Sequence, residues 1–158
     1  MNRENLDTYL NDHLAGSVGA MELLDHLVEV YQGSQYSAFL SALREDIGAD
    51  QRTLQGFIRD LGLKESDLRK AGAWFVEKFS RIKLRLDSDD DGLGLFQALE
   101  GIALGISGKE ALWRALEASN NLPELQVLDY HSLEARAREQ FAQVEAKRLE
   151  LAPQVFSI

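Results

Sequence analysis

Apolar residues recur at helical spacing along four long segments of the chain. The pattern predicts helices over 2–32, 35–60, 92–118 and about 123–152. The first segment shows the pattern most clearly, with a stripe made of Leu6, Leu10, Leu14, Ser17, Met21, Leu24, Val28 and Tyr31. Gly33 and Gly62 follow the first two segments, where helices often end in a glycine cap. The short connection between these segments predicts an antiparallel helical pair.

The segment 92–118 is the most apolar stretch of the sequence. Residues 92–108 contain a single charged residue, Glu100. A helix this apolar has to be surrounded by other helices, because a broad face in water would be costly. We therefore expect this segment at the centre of a helical bundle, with Glu100 on its buried face.

The segment 66–86 separates the first helical pair from the second and differs in character. It combines an apolar stripe with a basic surface that contains Arg69, Lys70, Lys78, Arg81, Lys83 and Arg85. This connection is long enough to cross the full length of a bundle, even when part of it is helical. The sequence therefore predicts an all-α, four-helix bundle of two antiparallel helical hairpins joined by a long, partly helical crossover.

The predicted arrangement resembles the ferritin-like superfamily. The stretches ALREDIGADQRTLQGFI and LFQALEGIALGISGKEALWRAL are similar to those of small bacterial ferritin-like proteins of uncharacterised function, and the resemblance covers nearly the whole chain. It implies one ferritin-like bundle domain over residues 1–158. The chain length and an apolar content of 45% also favour a single globular domain.

The resemblance also supplies a test for metal chemistry. Metal-binding ferritin-like proteins use one Glu from each of two helices and a Glu-x-x-His from each of the other two. Glu100 matches a Glu of that pattern, but leucine stands three residues before every histidine of this chain, at Leu10, Leu23 and Leu128. The di-iron pattern is broken at three of its four contributions. We therefore do not expect a di-iron oxidase or an iron-storage protein.

A carboxylate cluster is the remaining candidate for a metal site. Asp46 and Asp50 lie one turn apart on one face of the second helix, and Glu100 could meet them at mid-bundle, with His13 and Gln140 as neighbours. Three oxygen ligands suit a hard cation such as Mg²⁺ or Mn²⁺. The favoured interpretation is a remnant of an ancestral site, because a buried carboxylate also finds partners in neighbouring side chains or water. We predict no metal, cofactor-binding or catalytic residue, with iron or manganese as the alternative.

The DSDDDG motif before the central helix could suggest a calcium loop. The twelfth position of such a loop should be a bidentate Glu, and here it is Ala98. A charged start that complements the helix dipole explains the aspartates better.

The composition limits which classes of partner and which cellular compartment we expect for this chain. A net charge of -9 argues against nucleic-acid binding, and the absence of cysteine excludes disulfides, thiol catalysis and cysteine-ligated zinc. No stretch has the apolar length of a membrane span or of a signal-peptide core, so we expect a soluble cytoplasmic protein. Trp113, with Leu112 and Leu116, spreads apolar surface over more than one helix face. This spread indicates contact with the crossover or with a second subunit, and we expect a homodimer.

These observations favour an uncharacterised, metal-free and non-enzymatic bundle with a structural, binding or stress-associated role. Two alternatives stay open. One is a metal-binding protein, possibly an oxidoreductase, that uses Asp46, Asp50 and Glu100. The other is a small-ligand binder with its pocket along the basic crossover.

Overall fold

The computed structural model describes residues 2–64, 73–88 and 91–157, with side chains described outside 73–76. This part of the chain is helical and contains no strand, so the all-α prediction is confirmed. None of its helices is long and apolar enough to cross a membrane. The α-helices are α1 (Arg3–Val30), α2 (Ser37–Asp60), α3 (Ala73–Asp87), α4 (Leu93–Ala118) and α5 (Tyr130–Phe156), and a short 3-10 turn (Pro123–Leu125) precedes α5.

The helix ends follow local sequence signals. The Asn2 side chain accepts a hydrogen bond from the Asn5 amide at 3.1 Å and caps the start of α1. Gly33 and Gly62 have φ angles of 76° and 66° just after α1 and α2. Because this left-handed conformation is strained for other residues, these glycines account for the predicted ends of both helices.

The predicted bounds of the last helix are wrong at both ends. Pro123 begins a separate 3-10 turn, and α5 starts at Tyr130, where Asp129 accepts a hydrogen bond from the Ser132 amide at 3.1 Å. The helix then continues through Pro153 to Phe156. Pro153 has no N–H to donate to the carbonyl of Leu149, so the helix continues past it with one backbone hydrogen bond missing.

Contacts between the helices establish two antiparallel hairpins. Arg3, at the start of α1, donates to the carbonyl of Leu61 just after α2. In the second hairpin, Lys109 of α4 donates to Gln140 of α5, and Arg148 reaches back to Glu100 at 3.5 Å. The 3-10 turn lies within the short connection between α4 and α5.

Helix α3 packs against α1 and α4 and returns the chain along the bundle. Its carboxyl end lies at the far end of α1, where His26 Nε2 and Asp87 Oδ1 are 2.9 Å apart. Because of this return, α2 and α4 run in the same direction. Of the helix predicted over 66–86, residues 73–86 are helical, and its predicted start, residues 66–72, falls outside the described residues.

Two apolar clusters fill the interior. One includes Leu24, Leu40, Leu99 and Val144 and lies towards the end of the bundle at which α1 and α3 both finish. The other lies at the opposite end and is formed by Leu10, Leu14, Leu54, Phe57, Ile58, Leu61, Leu112, Trp113, Leu116, Leu125 and Tyr130. Trp113 is only 1% exposed inside the second cluster. Its burial is therefore complete within one chain, and the expectation that a second subunit might cover it is not needed.

Candidate functional site

A buried polar network joins three helices near the middle of the bundle. Asp50 of α2, whose side chain is 6% exposed, is its centre. One carboxylate oxygen accepts from Lys109 Nζ of α4 at 2.5 Å and from Gln140 Nε2 of α5 at 2.8 Å, and the other accepts from Arg136 Nε at 2.7 Å. Lys109 also donates to the amide oxygen of Gln140. The network thus connects α2, α4 and α5 through one carboxylate.

The charges within this network balance. Arg136 also donates to the backbone carbonyl of Asp46 at 3.1 Å and approaches its carboxylate at 3.4 Å, so two cations face two carboxylates. Burial lowers the pKa of Lys109, and the negative charge and hydrogen bond of Asp50 oppose this effect. The ion pair with Asp50 therefore stabilises an ammonium group that burial alone would disfavour.

The structure brings together only some of the residues predicted for the carboxylate cluster. Asp46, Asp50 and Gln140 meet through Arg136 and Lys109, two partners that the sequence interpretation missed. A signal for Arg136 was present, because it lies one helical turn before Gln140 and so shares its face. Nothing comparable in the sequence marked Lys109.

The predicted position of Glu100 on a buried face is wrong. Its side chain is 52% exposed and pairs with Arg148, whose guanidinium also donates to Glu145 at 2.8 Å. Helix α4 is apolar around so much of its circumference that spacing alone did not fix which face is buried. Asp46, Asp50 and Glu100 therefore do not converge, and the described residues contain no group of three His, Cys, Asp or Glu side chains that could hold a metal ion.

A cavity of about 640 Å³ lies beside the network, between α1, α2 and α4, with α3 at one edge. Most of its wall is apolar or bears no side chain at all. The wall includes Gly16 and Ala20 of α1, Ile47 and Leu54 of α2, Phe79 of α3, and Gly105, Gly108 and Leu112 of α4. His13, Asp50 and Lys109 contribute polar groups to the same wall, so the cavity and the network share two residues.

Glycines of α4 create much of this space. Apart from the neighbouring backbone of α4 itself, no described atom lies within 4 Å of a Cβ built at Gly105 or Gly108, whereas a Cβ at Gly101 would touch Phe79 at 3.5 Å. Helix α3 therefore packs on α4 at Gly101, and no described side chain of α3 reaches Gly105 or Gly108. Among the described residues, a close neighbour is therefore found at one of these three glycines and open space at the other two.

The α1 side of the cavity carries further polar groups. Gln51 Nε2 donates to Ser17 Oγ at 3.0 Å across α1 and α2. The rings of Tyr9 and His13 meet edge to face with centroids 4.8 Å apart. Burial lowers the pKa of His13, against a smaller raising effect of Asp12, so this imidazole is neutral near pH 7. It is placed as a wall group of the cavity and not as a neighbour of the Asp50 carboxylate.

Two aromatic residues, Trp113 and Tyr130, belong to the second apolar cluster, and Trp113 also lines the cavity. The Tyr130 hydroxyl donates to the Leu125 carbonyl at 2.5 Å, and burial raises the pKa of Tyr130 to about 12. The indole N–H of Trp113 is buried and has no hydrogen-bond partner among the described residues. An unpaired buried N–H opposes folding, so Trp113 contributes to stability through its apolar ring.

Comparison of the chain with protein-family models, with curated proteins and with solved structures finds no match. The proposed function therefore rests on the geometry of the chain itself.

Proposed function

We propose that the protein is a non-enzymatic binding protein whose cavity holds one small, largely apolar molecule. The observation that carries this proposal is the cavity of about 640 Å³ with a mostly apolar wall. Pockets for small ligands typically enclose about 300–1,000 Å³ and combine apolar walls with a few polar groups. The wall beside α3 contains Lys78, so this is the small-ligand alternative at the basic crossover.

The polar network supports binding over catalysis. A general base or a nucleophile needs a lone pair that the substrate can reach. Both oxygens of Asp50 already accept from cationic or amide donors, and Lys109 is held as an ammonium group. His13 has no network carboxylate beside it to orient the ring for proton transfer. These features favour a structural role for the network.

The arrangement of the helices supports the ferritin-like assignment as a proposal. Two antiparallel hairpins, a crossover along the bundle and parallel α2 and α4 are the features that define such bundles. We propose a metal-free member of this class, because Glu100 lies apart from Asp50 and pairs with Arg148. An iron or manganese site remains the alternative. Near-stoichiometric metal in protein purified without chelator, measured by mass spectrometry, would favour it.

We also retain a cytoplasmic homodimer as a proposal. Exposed apolar side chains on α5, among them Phe141, Leu149 and Phe156, support an association surface. The net charge of -9 argues against a nucleic-acid partner. Sedimentation across a range of concentrations tests the dimer, and a strictly monomeric profile would contradict it.

The binding proposal is tested with the apolar fluorescent probe N-phenyl-1-naphthylamine. Transfer from water into an apolar cavity should raise its emission in a saturable way. Gly108→Leu should abolish this signal, because the new side chain occupies space in which the wild-type chain places no described atom within 4 Å of the Cβ. The matched control is Gly56→Leu in α2. Gly56 is outside the cavity wall, and its Cβ would make only an ordinary 3.5 Å contact with Arg59.

Both variants replace a glycine within a helix, so both gain intrinsic helix propensity and neither should unfold the protein. Circular dichroism establishes that each variant is folded before binding is compared. Absence of saturable binding by the wild type would contradict the proposal. Equal binding by wild type and Gly108→Leu would move the probe site elsewhere and contradict it as well.

A further inference from the structure

We infer that the bound molecule carries a neutral hydrogen-bond acceptor, such as a ketone, aldehyde, ester or ether oxygen, which accepts from Lys109. This inference rests on the proposed binding function and specifies the chemistry of the ligand. It begins from Lys109, a cation that belongs both to the polar network and to the wall of the cavity.

Lys109 has the donor that the inference requires. An ammonium group carries three N–H donors. Asp50 and Gln140 accept from Lys109, and among the described residues no acceptor is seen for the third donor. The Lys109 side chain is 16% exposed and lines the cavity. A ligand oxygen in the cavity can therefore complete the hydrogen bonding of this ammonium group.

The position of the amine is fixed before a ligand arrives. Two acceptors on two different helices, Asp50 of α2 and Gln140 of α5, hold Nζ in place. Arg136 and Gln140 in turn hold the carboxylate of Asp50. Such a preorganised donor loses little conformational entropy on binding, so a single hydrogen bond to it contributes more to affinity than one to a mobile surface lysine.

The charge balance of the network selects a neutral head group. Asp50 already neutralises Lys109, and Asp46 lies beside Arg136, so the network has no excess positive charge. A ligand oxygen bonded to Nζ would also stand within about 4–5 Å of the Asp50 carboxylate, given normal hydrogen-bond lengths. A ligand carboxylate would be repelled at that distance, whereas a carbonyl oxygen would not. His13 adds no positive charge near pH 7, because burial lowers its pKa, and the other cation of the described wall, Lys78, lies at the α3 edge of the cavity.

Glycines next to Lys109 leave room for the apolar body of the ligand. Gly105 and Gly108 lie one turn and one residue before it on α4, and their missing side chains open the space beside Nζ. Ile106 and Leu112 extend the apolar wall on the same helix. The geometry therefore suits a molecule with a flat or narrow apolar body and one acceptor at its end.

Three probes of nearly the same shape test the chemistry by isothermal titration calorimetry. They are 2-acetylnaphthalene, 2-isopropenylnaphthalene, in which a methylene group replaces the carbonyl oxygen, and 2-naphthoate. A hydrogen bond to a charged donor contributes more free energy than one between two neutral groups. The ketone, which accepts from the Lys109 ammonium group, should therefore bind the wild type about tenfold more tightly than the alkene. The naphthoate should bind no more tightly than the ketone.

A double variant assigns the difference to Lys109. Lys109→Met alone leaves the buried Asp50 with one cation fewer, so we pair it with Asp50→Asn. The Asn oxygen can accept from Arg136, and the Asn amide N–H can donate to the Gln140 oxygen once the Gln140 amide is reversed. In the folded double variant the ketone and the alkene should bind equally.

A second measurement needs no variant. The carbonyl stretching frequency of the bound ketone should shift to lower wavenumber in the wild type, as expected for an oxygen that accepts from an ammonium group.

Each remaining outcome has a distinct meaning. Equal binding of ketone and alkene to the wild type would overturn the inference and leave the binding function standing. Tightest binding of the naphthoate would overturn the choice of a neutral head group. A tenfold preference that persists in the double variant would show that another group donates, and so would also overturn the inference. Failure of all three probes and of the fluorescent probe to bind would overturn the proposed function itself.

Discussion

The two sides of the bundle that meet near Asp50 are built in opposite ways. On the closed side, between α2 and α5, long side chains fill the space: Arg136 and Gln140 reach across to Asp50. On the open side, between α1 and α4, the facing positions include Gly105 and Gly108, and a cavity of about 640 Å³ remains. Side-chain length, on similar backbones, decides which side closes.

The closed side explains how the open side can persist. An apolar void costs stability, because neighbouring atoms lose contacts and the surroundings tend to collapse into it. Lys109 connects α4 to Asp50 of α2 and to Gln140 of α5, so the network restrains α4 from moving into the cavity. The predictions below test this division, beginning with the substitution that should cost most.

Asp50→Leu should give the largest effect. It leaves the buried Lys109 ammonium without its carboxylate, and loss of one partner of a buried ion pair costs about 3–5 kcal/mol of unfolding free energy. Urea denaturation followed by circular dichroism measures the change. The same variant should also lose the probe fluorescence of the cavity if the network holds α4 in place.

A matched substitution separates the network from any effect of removing a carboxylate. Glu100→Leu acts on an exposed residue and should change the unfolding free energy by no more than about 0.5 kcal/mol. Asp50→Leu combined with Lys109→Met removes both charges and should recover much of the loss. If Asp50→Leu alone cost less than about 1 kcal/mol, the network could not be what maintains the open side.

Sequence periodicity predicted the closed side better than the open side. The spacing of Asp46 and Asp50 placed both on the face that meets α5, and Gln140 was expected as a neighbour. The spacing could not place Glu100, because apolar residues surround so much of α4. Position on an apolar helix is set by the helices around it, and their relative rotation is tertiary information.

The cavity could not be predicted from the sequence, for a related reason. A glycine within a helix permits either close packing by a neighbouring helix or empty space, and the sequence is the same in both cases. Gly101 shows close packing against Phe79, and Gly108 shows empty space, seven residues later on the same helix. The described contact with Phe79 at Gly101 distinguishes them, and that contact is tertiary information. Helix ends were more predictable, since Gly33 and Gly62 require only local backbone geometry.

Alanine substitutions at two glycines of α4 should have opposite signs. A Cβ at Gly94 would lie 3.1 Å from both the backbone nitrogen and a side-chain carbon of Leu86, so Gly94→Ala forces α3 and α4 apart and should cost about 1–3 kcal/mol. Gly108→Ala meets no described atom and should stabilise the protein by up to about 1 kcal/mol through helix propensity.

Thermal unfolding of the two variants beside the wild type provides the measurement, with Gly56→Ala as a helix-propensity control away from the cavity. Equal effects at Gly94 and Gly108 would show that α4 is packed alike along its length. That result would remove the contrast between its two ends.

The smallest effect concerns pH on the open side. Because burial lowers the pKa of His13, the unfolded chain binds a proton to this residue at a higher pH than the folded chain does. The stability associated with the neutral ring is therefore fully present above its ordinary pKa of about 6.5 and is lost as the pH falls through the range below it. The unfolding free energy of His13→Gln should fall less steeply than that of the wild type between about pH 7 and 5.5.

His131→Gln provides the matched control for this pH dependence, because it removes an exposed histidine outside the cavity wall. An apolar ligand in the cavity should exclude water from His13 and lower its pKa further, so saturation with 2-acetylnaphthalene should enlarge the difference between wild type and His13→Gln. A ligand held elsewhere would leave that difference unchanged. The pH dependence of stability thus reports on occupation of the open side.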